Sequence, residues 1–174
     1  MKNIKTLALI AVFAALYFVL SALFKIPIAG HITLDLGYTV LMVAAVYLGP
    51  VPAMLVGALG ALAESAMMSQ TGISIGWILM NALIGVLAGL VLPKTFAMKK
   101  GTFIWTSVVT VIIAVFLGVC VKTFFDCILR SIALAAKIPT SLAAWATDSI
   151  VMLLFGIPVC FLLKVPFSKL RLKK

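Results

Sequence analysis

Residues 6–24, TLALIAVFAALYFVLSALF, run without one charged side chain. As a helix rising 1.5 Å per residue this stretch reaches roughly 28 Å, close to the ~30 Å hydrocarbon core of a bilayer. Lipid offers no partner to backbone amides, so a run of this kind satisfies them internally, as a membrane-crossing helix. Residues 73–92, ISIGWILMNALIGVLAGLVL, repeat the pattern. The composition excludes a soluble alternative: 65% of residues are hydrophobic and 10% charged, where a soluble domain has about 25% charged.

Reading onward predicts an all-α integral membrane protein with six transmembrane helices in a single membrane domain. The expected spans are 6–24, 36–49, 53–68, 73–92, 102–136 and 142–163. The first is read as a retained helix and not a cleaved leader, because it exceeds a leader's apolar segment and Lys25 and Pro27 follow it. Residues 25–35, KIPIAGHITLD, read as a loop of mixed character. GPVPA is expected to separate spans two and three, Pro93 and KTFAMKKG to end span four, and KIPTS to form a turn between spans five and six.

The net charge of +10 reflects orientation, not nucleic acid. Lys2, Lys5, Lys94, Lys99, Lys100, Lys164, Lys169, Arg171, Lys173 and Lys174 fall on one side of a six-span topology, against Lys25 and Lys137 on the other. The positive-inside rule then places both termini in the cytoplasm. Lys122 and Arg130 lie within span five.

That orientation gathers the remaining polar groups at the outer end. Glu64, Trp77, Asn81, Lys122, Asp126, Trp145 and Asp148 all fall in the outer parts of their spans, and His31 and Asp35 in the outer loop. Ionisable groups within membrane segments generally face a bundle interior and mark a pathway or site. These residues form a candidate substrate site mixing acids, bases and aromatic faces, suited to a polar heterocycle. Simpler roles exist for some: belt aromatics for Trp77 and Trp145, a helix-helix hydrogen bond for Asn81, pairing along one helix face for Lys122, Asp126 and Arg130. The three cysteines, Cys120, Cys127 and Cys160, form no CxxC, and no His/Cys cluster has metal-site spacing.

Small residues four apart recur at Ala11 and Ala15, at Ala53, Gly57 and Ala61, and at Gly85 and Gly89. Such faces allow close helix approach in lipid. No GxxxxGK[ST], GxSxG or HExxH is present. The residues alone leave two other readings open: a stand-alone facilitator or proton-coupled carrier using Glu64 and Asp148, and an intramembrane enzyme using Asp126 and Asp148, for which the GxGD motif is missing.

The order of these features resembles the substrate-binding S components of energy-coupling factor (ECF) transporters, prokaryotic importers of vitamins and micronutrients. The stretch LDLGYTVLMVAAVYLGPVPAMLVGALGALAE, residues 34–64, carries most of the resemblance, with NALIGVLAGLVLP at 81–93 and AVFAA at 11–15. The resemblance implies a subunit of the prokaryotic plasma membrane that captures a vitamin, cofactor precursor or related heterocycle at its extracellular end and is not an enzyme. It implies docking through Ala11 and Ala15 on a transmembrane energizing subunit (the T component), with two ATPase subunits consuming ATP and no cofactor held by this chain. It also implies gating by the 25–35 loop, with His31 and Asp35, and ligand contacts from Glu64, Trp77, Asn81, Lys122, Asp126, Trp145 and Asp148.

Overall fold

The computed structural model describes residues 2–29, 32–68 and 73–164. Its elements, in order, are α1 (Lys2–Leu23), β1 (Lys25–Ala29), β2 (Ile32–Asp35), α2 (Gly37–Leu48), α3 (Pro50–Met68), α4 (Ile75–Phe96), α5 (Lys100–Arg130), α6 (Leu134–Leu154) and α7 (Gly156–Leu162). Five helical stretches are long and apolar enough to cross a membrane, the last being 134–162, which joins α6 and α7 across a break at Phe155. With α2, an apolar helix of only 12 residues, six apolar helical segments make up the bundle among the described residues.

The expected all-α class needs one amendment. Residues 25–29 and 32–35 form an antiparallel pair, with Lys25 opposite Asp35 and Ile26 opposite Leu34. Isoleucines at 26, 28 and 32 and Leu34 supply the alternating, partly β-branched pattern that suits a pleated ribbon. His31 lies outside the described residues.

Prolines account for most differences in helix boundaries. Pro50 and Pro52 do not precede α3 but open it, since the first turn of a helix has no use for their missing N–H groups. The corner is made by Gly49, whose φ of +89° suits a residue without Cβ. Helix α4 continues through Pro93 to Phe96, and Thr95 Oγ1 sits 3.2 Å from the Leu92 carbonyl and 3.4 Å from that of Val91. Span five stops at Arg130, short of 136, because Ser131 adopts a left-handed conformation (φ 51°) and ends it. KIPTS lies inside α6, not in a turn.

Helix α2 is the centre of the bundle. Ten consecutive residues, Gly37 to Val46, are buried, and α1, α3, α4, α6 and α7 pack around them. The glycines at the α3–α4 contact act as the small-residue spacing predicts. A Cβ at Gly57 would stand 2.5 Å from the Asn81 carbonyl oxygen, and one at Gly85 would stand 2.5 Å from that of Ala53. Two backbones thus approach to a distance that any larger residue forbids.

The bundle has two distinct ends. The hairpin end collects β1 and β2, the end of α3, the start of α4, the end of α5 and the start of α6. At the opposite end, Tyr47, Phe96, Phe103 and Phe161 form an aromatic cluster from four helices.

Candidate substrate site beneath the hairpin

A buried polar network occupies the hairpin half, and its core is Trp77 on α4. The indole N–H donates to Glu64 Oε2 on α3 at 3.1 Å. Its face carries the Lys122 ammonium of α5, 4.5 Å from the ring centroid. Its edge meets the Tyr38 ring of α2, 6.3 Å away and nearly perpendicular. One aromatic ring is therefore held by an anion in its plane and a cation over its face, the arrangement its quadrupole favours. Trp77 and Lys122 are half-buried, so these contacts are screened less than fully exposed ones.

The network continues toward α1. Tyr38 packs edge-on against Tyr17 at 6.5 Å, and the Tyr17 hydroxyl donates to Asn81 Oδ1 at 2.9 Å. The Asn81 amide donates back to the Trp77 carbonyl one turn earlier, at 2.9 Å. Both Tyr17 and Asn81 are wholly buried. Gly60 of α3 makes room for this, since a Cβ there would strike the Tyr17 ring.

The hairpin is tied to the same network. Asp35, at the end of β2, is buried and accepts from the Ser21 hydroxyl at 2.7 Å and from the Gly37 backbone N–H at 2.8 Å. It thus joins α1, the hairpin and the start of α2. Asp148 of α6 is buried too, within electrostatic range of Tyr17 and Tyr38 as Asp35 and Glu64 are. Among the described residues the Tyr38 hydroxyl, fully buried, has no hydrogen-bond partner, and the same holds for the buried hydroxyls of Thr39 and Ser149, next in sequence to Tyr38 and Asp148. Buried, unspent donors are suited to a ligand with acceptors.

Not every residue singled out in the sequence joins this group. Glu64, Trp77, Asn81, Lys122 and Asp148 do, and Asp35 links it to the hairpin. Asp126 instead pairs with Lys137 of α6 at 3.0 Å, across the turn that Ser131 makes. With Arg130 it borders a separate cleft of about 200 Å³ between the start of α4 and the end of α5. Trp145 packs against Phe116 and donates to the Ile112 carbonyl at 3.1 Å, both on α5. Ala11 and Ala15 lie exposed on α1. Sequence reasoning missed Tyr17, Ser21 and Tyr38; the four-residue spacing of two hydroxyls on α1 was the available signal. Among the described residues no group of His, Cys, Asp and Glu is arranged to hold a metal ion.

Comparison with known proteins bears on this geometry. A family model described as "ECF-type riboflavin transporter, S component" matches residues 1–165. Among solved structures, the chain is similar to a crystal structure of the S-component for biotin from an ECF-type ABC transporter. The two are 20% identical over 94% of this chain and 93% of that one, with a TM-score of 0.68. At that identity the likeness is one of fold.

Proposed function

Because the chain belongs to the ECF-type S-component family, a family of transporter subunits and not of enzymes, we propose that it captures a flavin, riboflavin or a close relative, beneath the hairpin. The hairpin end then faces the cell exterior, and both termini face the cytoplasm of a prokaryotic cell. A separate transmembrane energizing subunit and two ATPase subunits supply the work of transport.

The observation that carries this reading is the Glu64–Trp77–Lys122 arrangement, with Tyr38 and Tyr17 beside it. A flavin ring system is flat, aromatic and edged with alternating donors and acceptors. Tyrosine and tryptophan faces stack on such a ring, and Lys122, Asn81 and the Tyr38 hydroxyl can address its carbonyl and ring-nitrogen acceptors. Glu64 and Asp148 can accept from its N–H or from polyol hydroxyls. Asp35 couples the hairpin to this site, so that ordering the ligand and closing the hairpin become one event.

The test is a titration of the purified chain with riboflavin, read by quenching of flavin fluorescence. Saturable one-to-one binding is expected, unaffected by excess biotin. Lys122→Gln should weaken it at least tenfold, whereas Trp145→Phe should change it little. Failure to bind riboflavin, or equal sensitivity to both substitutions, rejects the assignment. Uptake into vesicles holding only this chain, without ATP, would instead support a facilitator.

A further inference from the structure

The end of the bundle opposite the hairpin holds a second constructed feature. Phe96, Phe103 and Phe161 are mutually in contact, with centroid separations of 4.8, 5.5 and 5.8 Å. Tyr47 joins Phe96 at 5.5 Å, and its hydroxyl donates to the Cys160 carbonyl at 2.6 Å. The cluster therefore ties together the ends of α2, α4 and α7 and the start of α5. Two ammonium groups sit over it: Lys164 Nζ is 5.4 Å from the Phe96 centroid, and Lys100 Nζ is 6.0 Å from that of Phe161. Lys94 and Lys99 flank them, and all four lysines are exposed.

No acidic side chain stands at this end. The chain's four acids are Asp35, Glu64, Asp126 and Asp148, all in the hairpin half or at mid-bundle. Lys100 and Lys164 are thus held by rings, which orient a cation without neutralising it. The same helix ends also expose apolar side chains, Leu162 of α7 at 75% and Trp105 of α5 at 73%. Cations above an exposed apolar skirt match an amphiphile. A soluble anion would use only the charges, and an acidic protein surface would leave the skirt bare.

From this we infer that Lys100 and Lys164, on their aromatic base, form a headgroup site for an anionic phospholipid of the leaflet at that end. Its phosphate bridges the two ammonium groups, and its acyl chains run along the exposed side of α5 and α7. The site pins the end opposite the ligand to the membrane surface.

Native mass spectrometry of the full chain, released from micelles doped with phosphatidylglycerol or phosphatidylcholine, tests this. A lysine near an anionic surface contributes roughly fivefold in affinity. General attraction alone would thus cost about 25-fold for any two lysines of this side, and the double substitution Lys100→Gln/Lys164→Gln should reduce retained phosphatidylglycerol by clearly more than that. The control Lys5→Gln/Lys94→Gln, which removes the same charge without touching the rings, should lose no more than this general share. Phe161→Leu keeps every charge and should give an intermediate loss, which separates the built site from general attraction. Thermal unfolding in a neutral detergent verifies that each variant is folded. Four results overturn the proposal: equal loss in the control pair, equal retention of phosphatidylcholine, displacement by millimolar inorganic phosphate, or a lysine effect confined to assembly with partner subunits.

Discussion

Tyr17 shows how a single hydroxyl can organise a membrane interior. Its ring fills the space that Gly60 leaves, and its O–H satisfies an amide on another helix. Tyr17→Phe keeps the ring but strands Asn81 Oδ1 in a dry site. Leaving a buried polar atom unpaired costs about 1–3 kcal/mol, so the thermal midpoint in detergent should fall by several degrees, with riboflavin binding weakened in parallel. An unchanged midpoint would mean that water reaches Asn81. The residues visible in the sequence, Glu64, Trp77, Asn81, Lys122 and Asp148, were legible because a charge, an amide or an indole N–H in lipid demands an explanation. Tyr17 and Tyr38 were not, because an aromatic ring in an apolar run needs none. Asp126 was legible for the same reason, but its partner was not. Sequence shows that a buried acid needs a partner, but not that Lys137, eleven positions away across a turn, supplies it.

At the scale of elements, the membrane spans were readable from length and apolarity, and their ends were not. The boundary differences at Pro50, Pro93 and Pro139 have two causes. Pro50 stands in the first turn of α3, where its missing N–H has no partner to lose, whereas Pro93 and Pro139 lie inside α4 and α6, which continue through them with one backbone hydrogen bond fewer at each. The hairpin escaped notice because a short ribbon packed on helices draws its stability from that packing. Two expectations follow for the helices. Gly85→Leu must push α3 and α4 apart, since the obstruction is the Ala53 backbone; a loss of about 1–3 kcal/mol or more is expected. Gly101→Ala, with nothing near its Cβ position, should be neutral or gain up to about 1 kcal/mol. Comparable losses in both would remove the close-approach explanation. Ser131→Gly should relieve a left-handed serine and stabilise by about 1 kcal/mol, seen as a higher unfolding midpoint with ligand affinity intact.

Across the whole molecule, the proposed function puts recognition and delivery on different surfaces. Ala11 and Ala15 lie on the exposed side of α1 with Leu7, Val12 and Leu16, away from the buried network. Ala11→Trp with Ala15→Trp should leave riboflavin affinity within about twofold, a change under roughly 0.5 kcal/mol, while abolishing uptake in cells that supply the partner subunits. Loss of both activities together would show that α1 has no separate docking role. The short central helix has its own consequence. At 12 residues α2 covers about 18 Å, far less than the hydrocarbon thickness, yet it is sheathed by its neighbours and touches little lipid. Swapping the host membrane for one with longer acyl tails would therefore load the peripheral helices, which answer hydrophobic mismatch by tilting. The floor on which Tyr38 stands would keep its depth, so ligand affinity should be insensitive to bilayer thickness even where transport rate is not.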